Sequence, residues 1–347
     1  MGQLEEKGIE KNMGFGIHSG DKIRIFHAAG EPEAVQIAIA NLERDLREVF
    51  PEAEVLRTEG TAVTDFGAQE EEAVIVIQTL TGNGKEEKVS CASLNGMQDE
   101  NGLLRKEAFQ LKVENGVLFI RGADRRGTIY GIYTFCEQLG VSPWYFFADV
   151  PVKSKQAFSL EEEYCLTDWP SVEYRGIFIN DEEELEAWVQ NYMGEPTIGV
   201  KSYEKIFELL LRLRANYIWP AMHVNSFNQT PENGALAERM GIVVGTSHCD
   251  MLMRSNNREW KPWIQKKGYQ DAVYDYSVEG RNREILKEYW RESVEQNRDY
   301  EVCYTLGMRG IHDSGFETKG LEGKSEEEIR AAKVALLEQI IADQREI

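Results

Sequence analysis

VEYRGIFIND (172–181), ANYIWPAMH (215–223), GIVVGTSHCD (241–250) and YEVCYTLGMRGIHD (300–313) decide the fold. Each is a short β-branched run that ends in polar side chains able to do chemistry, and each precedes a stretch with helical periodicity. Strand, polar tip and helix in repetition predict a (β/α)₈ barrel, whose active site gathers at the C-terminal ends of its strands. Only these four units fit before Ile347. The sequence is therefore expected to hold the first half of a barrel belonging to a longer enzyme.

The intervening stretches support this. Tyr203, Ile206, Phe207, Leu210 and Leu213 recur at helical spacing over 201–214. Further helices are predicted over 231–240, 283–298 and 325–345; the last has Ser325 and Glu328 placed as a capping box and Ile329, Leu336, Leu337 and Ile340 on one face. Residues 251–282 form a longer insertion rich in Trp, Tyr and Asn.

Upstream, KIRIFHA (22–28) reads as a strand and 33–49 as an amphipathic helix. AVIVIQTL (73–80) reads as a buried strand leading into a polar turn at 81–85. FQLKVENGVLFIRG (109–122) reads as a hairpin turning at Asn115-Gly116, and 127–140 as a helix closed by Gly140. Residues 142–156 are irregular and aromatic, and 157–170 look like an acidic connector. The predicted class is α/β: a flexible lead-in (1–20), a small N-terminal α/β domain (21–168) and a partial (β/α)₈ TIM barrel (169–347), ending after the fourth β/α unit.

A formal charge of −21 argues against nucleic acid and anionic membrane surfaces as partners. It leaves room for a small anionic substrate, because salt screens repulsion beyond about 8 Å. No apolar run is long enough to span a bilayer. The N-terminus MGQLEEKGIEKNMGFG lacks the apolar stretch of a secretory leader, which points to the cytoplasm unless a leader has been lost. The five cysteines, widely spaced and without a C-x-x-C, read as free thiols.

Candidate site residues follow from the strand tips. Asn180 and Asp181 end the first run, where a carboxylate would point into a barrel mouth or else cap a turn. His223 ends the second, either structural or bonding a sugar hydroxyl or carboxylate. His248, Cys249 and Asp250 end the third; neighbours on a strand face opposite ways, so His248 and Cys249 do not readily share a metal ion. Arg309, His312 and Asp313 end the fourth, as a carboxylate-binding fork beside a general base or as a structural ion pair. Arg254, with Asn256 and Asn257, lies in the insertion that would close over the site, and the nearby aromatic residues either stack on sugar or anchor the loop.

EYRGIFIND, YEKIFELLLRLRANYIWPAMH, GIVVGTSHCD and TLGMRG, together with ADRRGTIYGIYTFCEQLGVSPWYFFADVPVK (123–153), resemble glycoside hydrolase family 115, the xylan α-glucuronidases. The resemblance runs over roughly 20–347. It implies removal of α-1,2-linked glucuronate or 4-O-methylglucuronate from xylan oligosaccharides with inversion, no cofactor or metal, and a homodimer at full length. It places Asn180, Asp181 and His248 in the pocket and Asp313 as a carboxylate after the fourth strand, with Asp313 and Asp181 the catalytic candidates. His223, Arg254, Arg309 and His312 are expected to bind substrate. A catalytic glutamate expected after the next strand is absent here, so the fragment alone is expected to be inactive. The alternatives are a non-catalytic carbohydrate-binding or regulatory module, and a glycuronidase acting on arabinogalactan. Glu182 to Leu185 read Glu-Glu-Glu-Leu where the family often has Glu-Asp-Trp.

Overall fold

The structure, a computed structural model, describes residues 14–60, 72–81, 94, 96–180, 183–222, 224–311 and 314–347. Two compact units emerge: 1–173 with 211–214, and 174–210 with 215–347.

The first unit runs β1 (Phe15–His18), β2 (Lys22–Ala28), α1 (Glu33–Val49), β3 (Glu54–Gly60), β4 (Glu72–Thr79), β5 (Phe109–Glu114), β6 (Val117–Gly122), α2 (Arg125–Gln138), β7 (Ala157–Leu160) and β8 (Cys165–Asp168). Six strands form one sheet in the order β3-β2-β4-β6-β5-β8. β3, β2, β4 and β6 are parallel, and β5 is antiparallel to β6 and β8. β4 lies inside the sheet, and Ala73 to Ile77 are buried on both faces, which is why it reads as a continuous apolar run. The β5–β6 hairpin turns at Asn115 (φ 53°) and Gly116 (φ 77°), the left-handed pair that a two-residue turn requires. Asp124 starts α2 by accepting from the Arg126 and Gly127 amides.

Two segments differ from the sequence reading. Residues 15–18, expected within a loose lead-in, form β1, which pairs antiparallel with β7; Phe15 and Ile17 are fully buried. The acidic connector supplies β7 and the edge strand β8. Both strands are short and gain order only from distant partners, so local composition conceals them.

The second unit runs β9 (Gly176–Phe178), α3 (Glu183–Trp188), α4 (Val200–Arg212), β10 (Tyr217–Trp219), α5 (Pro231–Met240), β11 (Val243–Val244), α6 (Trp260–Lys267), α7 (Arg281–Asn297) and α8 (Glu326–Glu346), with α4 ending in the 211–214 stretch grouped with the first unit. β9, β10 and β11 form a parallel sheet in chain order. The fourth run adds to it: Val302 bridges Val244 in parallel, and the Cys303 amide donates to Val244 O at 2.8 Å. The described strands do not close into a barrel. β9 stands at the end of the strand order and all three of its residues are exposed.

The helices flank this sheet by familiar means. Tyr203, Ile206, Phe207 and Leu210 of α4 are buried. Leu213, expected on the same face, is 42% exposed, because α4 stops at Arg212 and Arg214 turns left-handed (φ 59°). Pro231 sits in the first turn of α5 and Gly241 (φ 80°) ends it. The insertion folds as α6 and turns whose Trp260, Trp263 and Tyr276 pack with Tyr289 and Trp290 of α7 and Ile340 of α8. Its aromatic residues therefore anchor the loop. No described helix is long and apolar enough to cross a membrane.

Candidate functional site

The polar tips lie where parallel strands and their continuations end. Ile179, after β9, donates its amide to Trp219 O (2.8 Å), and exposed Asn180 follows. After β11, His248 is exposed, Cys249 half-buried and Asp250 buried. Thr246 Oγ1 donates to Asp250 O (2.8 Å), and Thr305 Oγ1 donates to Thr246 O (2.9 Å). The tips of the third and fourth runs are thereby tied together. Leu252 (φ 51°) and Met253 (φ 60°) come next, both buried and both left-handed. Such backbone strain in apolar residues persists only where the surroundings over-determine it. Here the Leu252 amide donates to Thr305 O (2.9 Å).

Arg309 is half-buried, and its segment is held from two directions. Asn256 Nδ2 donates to the carbonyls of Arg309 (2.9 Å) and Gly310 (3.1 Å). Gln344 of α8 brackets Gly307, accepting from its amide (2.6 Å) and donating to its carbonyl (2.8 Å). Asn256 and Gln344 are supports that no local motif announces. Each works through a residue more than 30 positions away.

Arg254 was expected to contact substrate. Its guanidinium is instead committed to the scaffold. Nη1 donates to Glu259 Oε2 (2.7 Å), Nε donates to Tyr289 O (3.2 Å), and the group lies 4.8 Å from the centre of the Tyr289 ring. Glu259, buried, also accepts from Ser226 Oγ (2.6 Å) and the Ser255 amide (3.2 Å). Burial pushes the Tyr289 and Tyr274 phenols well up, so both stay neutral. Tyr289 donates to Ser255 O at 3.0 Å.

Asp181, His223, His312 and Asp313 lie outside the described residues. The tips that are described offer an exposed imidazole and an exposed amide, side chains suited to hydrogen-bonding hydroxyl and carboxylate groups. Among the described residues no group of His, Cys, Asp or Glu could hold a metal ion, and Cys136, Cys165, Cys249 and Cys303 are free thiols.

Comparison with known proteins bears on this arrangement. The family model described as glycosyl hydrolase family 115 matches residues 167–347, more than half of the chain and the stretch that contains every strand tip named above. No curated protein matched. Among solved structures the chain is similar to a "novel family GH115 4-O-Methyl-alpha-glucuronidase, BtGH115A, with specificity for decorated arabinogalactans". Identity is 34%, the TM-score is 0.76, and the match covers 95% of this chain and 40% of that one. A Flavobacterium johnsoniae chitobiase shares the fold at 13% identity and a TM-score of 0.51, over 95% of this chain and 49% of its own. The chain thus spans less than half the length of either structure. The chain belongs to glycosyl hydrolase family 115.

Proposed function

We propose that the whole protein is a glycoside hydrolase that removes glucuronate or 4-O-methylglucuronate side groups from a plant polysaccharide. The observation that carries this reading is the family match over 167–347, which spans Asn180, Asp181, His223, His248, Arg309, His312 and Asp313 together. The parallel order β9-β10-β11, extended by the bridge at Val302, supports reading the second unit as the opening half of a (β/α)₈ barrel. The exposed rings of Tyr174, Phe178 and Trp219 support it too. Phe178 packs against Trp219 at 5.8 Å and Tyr174 against Tyr217 at 5.3 Å, as a face built to be covered by further strands.

In this mechanism Asp313 acts as a general base on water, Asp181 binds or orients the sugar, and a second carboxyl group of the whole protein acts as the general acid that protonates the leaving oxygen. An inverting enzyme sets its two carboxyl groups about 6.5–9.5 Å apart, so that a water molecule fits. The substrate carboxylate takes hydrogen bonds from Arg309, whose planar fork matches it, and His248, His223, His312 and Asn180 take hydroxyls. No cofactor enters the scheme.

Glucuronoxylan is the first polymer to test. A second reading, arabinogalactan, is favoured by the printed specificity of the similar enzyme. The test is release of free uronic acid from glucuronoxylan and from decorated arabinogalactan by the whole protein, with the anomer of the nascent product followed by NMR. Inverted product from one polymer is the expected result. Asp313→Asn is expected to lower turnover by about 10²–10⁴-fold, the range of general-base catalysis. Absence of uronic acid release from both polymers would reject the hydrolase reading and favour a binding module.

A further inference from the structure

The loop after β9 holds a feature that the scheme above does not use. Directly after α3 the chain makes one π-helical turn, Val189–Met193. π-Turns are rare and frequent at functional sites. This one places Trp188 and Tyr192 four residues apart on one side, with ring centres 6.0 Å apart and planes only 12° from parallel. The two rings are offset-stacked, the Tyr192 ring lying partly over that of Trp188. Tyr192 is 69% exposed, the most exposed large hydrophobic residue among those described.

The pair is displayed on a fixed support. Val189, the first residue of the turn, is fully buried. Gly194 closes the turn in a left-handed conformation (φ 67°). Gln190 Nε2 donates to Pro196 O (3.1 Å). The Glu195 carboxylate then caps α4, accepting from the amides of Lys201 (3.0 Å) and Ser202 (2.9 Å) and from Ser202 Oγ (2.6 Å). Ordering is thus done before any ligand arrives, which is the condition for efficient binding by a small surface. Core packing does not account for so exposed a Tyr192 ring, stacked on half-buried Trp188 and held in this way. The loop also follows the C-terminal end of β9, as exposed Asn180 does.

We propose that Trp188 and Tyr192 are a stacking platform for an uncharged pyranose of the polysaccharide main chain. The C–H face of a pyranose is apolar and matches a flat aromatic surface, and Asn191, exposed between the rings in sequence, brings an amide for a ring hydroxyl. A neutral sugar suits the platform better than a uronate, because Glu184, Glu186 and Glu195 flank it in the chain. The inference rests on the glycoside hydrolase reading for its ligand class, and it adds where the uncleaved polymer is gripped.

The test uses the whole protein, with Tyr192→Ala and the ring-retaining Tyr192→Phe. In affinity electrophoresis through gels containing xylan or arabinogalactan stripped of uronate, wild type and Tyr192→Phe are expected to be retarded and Tyr192→Ala to run about tenfold more weakly bound, a loss of about 1.4 kcal/mol. With decorated polymer as substrate, KM is expected to rise about tenfold in Tyr192→Ala, against less than about twofold on a short aldouronic acid. Equal retardation of wild type and Tyr192→Ala, or none of wild type, overturns the platform. So does an equal KM rise on both substrates, which marks a folding effect. Retardation that depends on Tyr192, with no uronate released by wild type, would retain the platform and reject hydrolysis.

Discussion

Glu259 shows how far a single buried charge can organise a region. Its carboxylate meets Arg254, Ser226 and Ser255, and so joins the insertion to the segment after β10. Glu259→Ala would leave the largely buried Arg254 guanidinium only its longer ion pair with Glu292 (3.6 Å), and we expect a loss of about 3 kcal/mol in chemical denaturation. Replacing both residues with Met is expected to recover much of that loss, because no charge is then left unpaired. Gly176 gives a second test at this scale. A Cβ there would collide with the carbonyl of Tyr217 on the neighbouring strand. Gly176→Ala is therefore expected to force β9 away from β10 and to lower stability by about 1–3 kcal/mol in the same measurement. Neither residue stands out locally. Glu259 looks like any surface acid before a Trp, and Gly176 like a strand start; only the partner across space makes each indispensable.

Among the elements, α8 was largely legible and its fastening was not. Ser325 and Glu328 form the capping box that their spacing predicts. Leu336 and Ile340 are buried and Ile329 and Leu337 partly so, as the helical spacing implies. At its far end Asp343 accepts from Tyr276 and from Gln339 (2.7 Å) and faces Lys287 of α7 (3.4 Å). Burial alone would push the Asp343 carboxyl up, but the Tyr276 and Gln339 hydrogen bonds and the Lys287 charge outweigh it and hold it below the ordinary 3.8. A carboxyl depressed in the folded state stabilises fully above its unfolded value and loses that contribution as pH falls through the folded one. The stability gap between wild type and Asp343→Asn, followed by urea denaturation from pH 7 to pH 3, is expected to be constant down to about pH 5 and to narrow below about pH 4. A gap that widened towards acid would show the sign to be wrong. The short strands β1, β7 and β8 escaped the pattern for a related reason. Four-residue strands carry too few side chains to show a period, and their pairing is non-local.

For the whole molecule, the exposed strand β9 is the feature with consequences. Ile177 is 43% and Phe178 50% exposed at the end of a parallel sheet, an edge of the kind that soluble proteins normally cover. Residues 1–347 produced alone are expected to self-associate in light scattering, and Ile177→Lys with Phe178→Glu to reduce that association at unchanged helix content by circular dichroism. A monodisperse monomer from the unaltered sequence would contradict the assignment of this edge as adhesive. Sequence by itself determined the two-part α/β character, the helices around the second sheet and the family, because periodicity, caps and the strand-end motifs are local and written in consecutive residues. Tertiary structure alone decided that Arg254 serves the scaffold, that the insertion's aromatic residues are core, that residues 15–18 pair with 157–160, and that exposed Tyr192 stacks on half-buried Trp188. The physical reason is common to all four. A side chain's role is set by which atoms surround it after folding, and those atoms come from positions whose spacing along the chain carries no signal of their eventual contact.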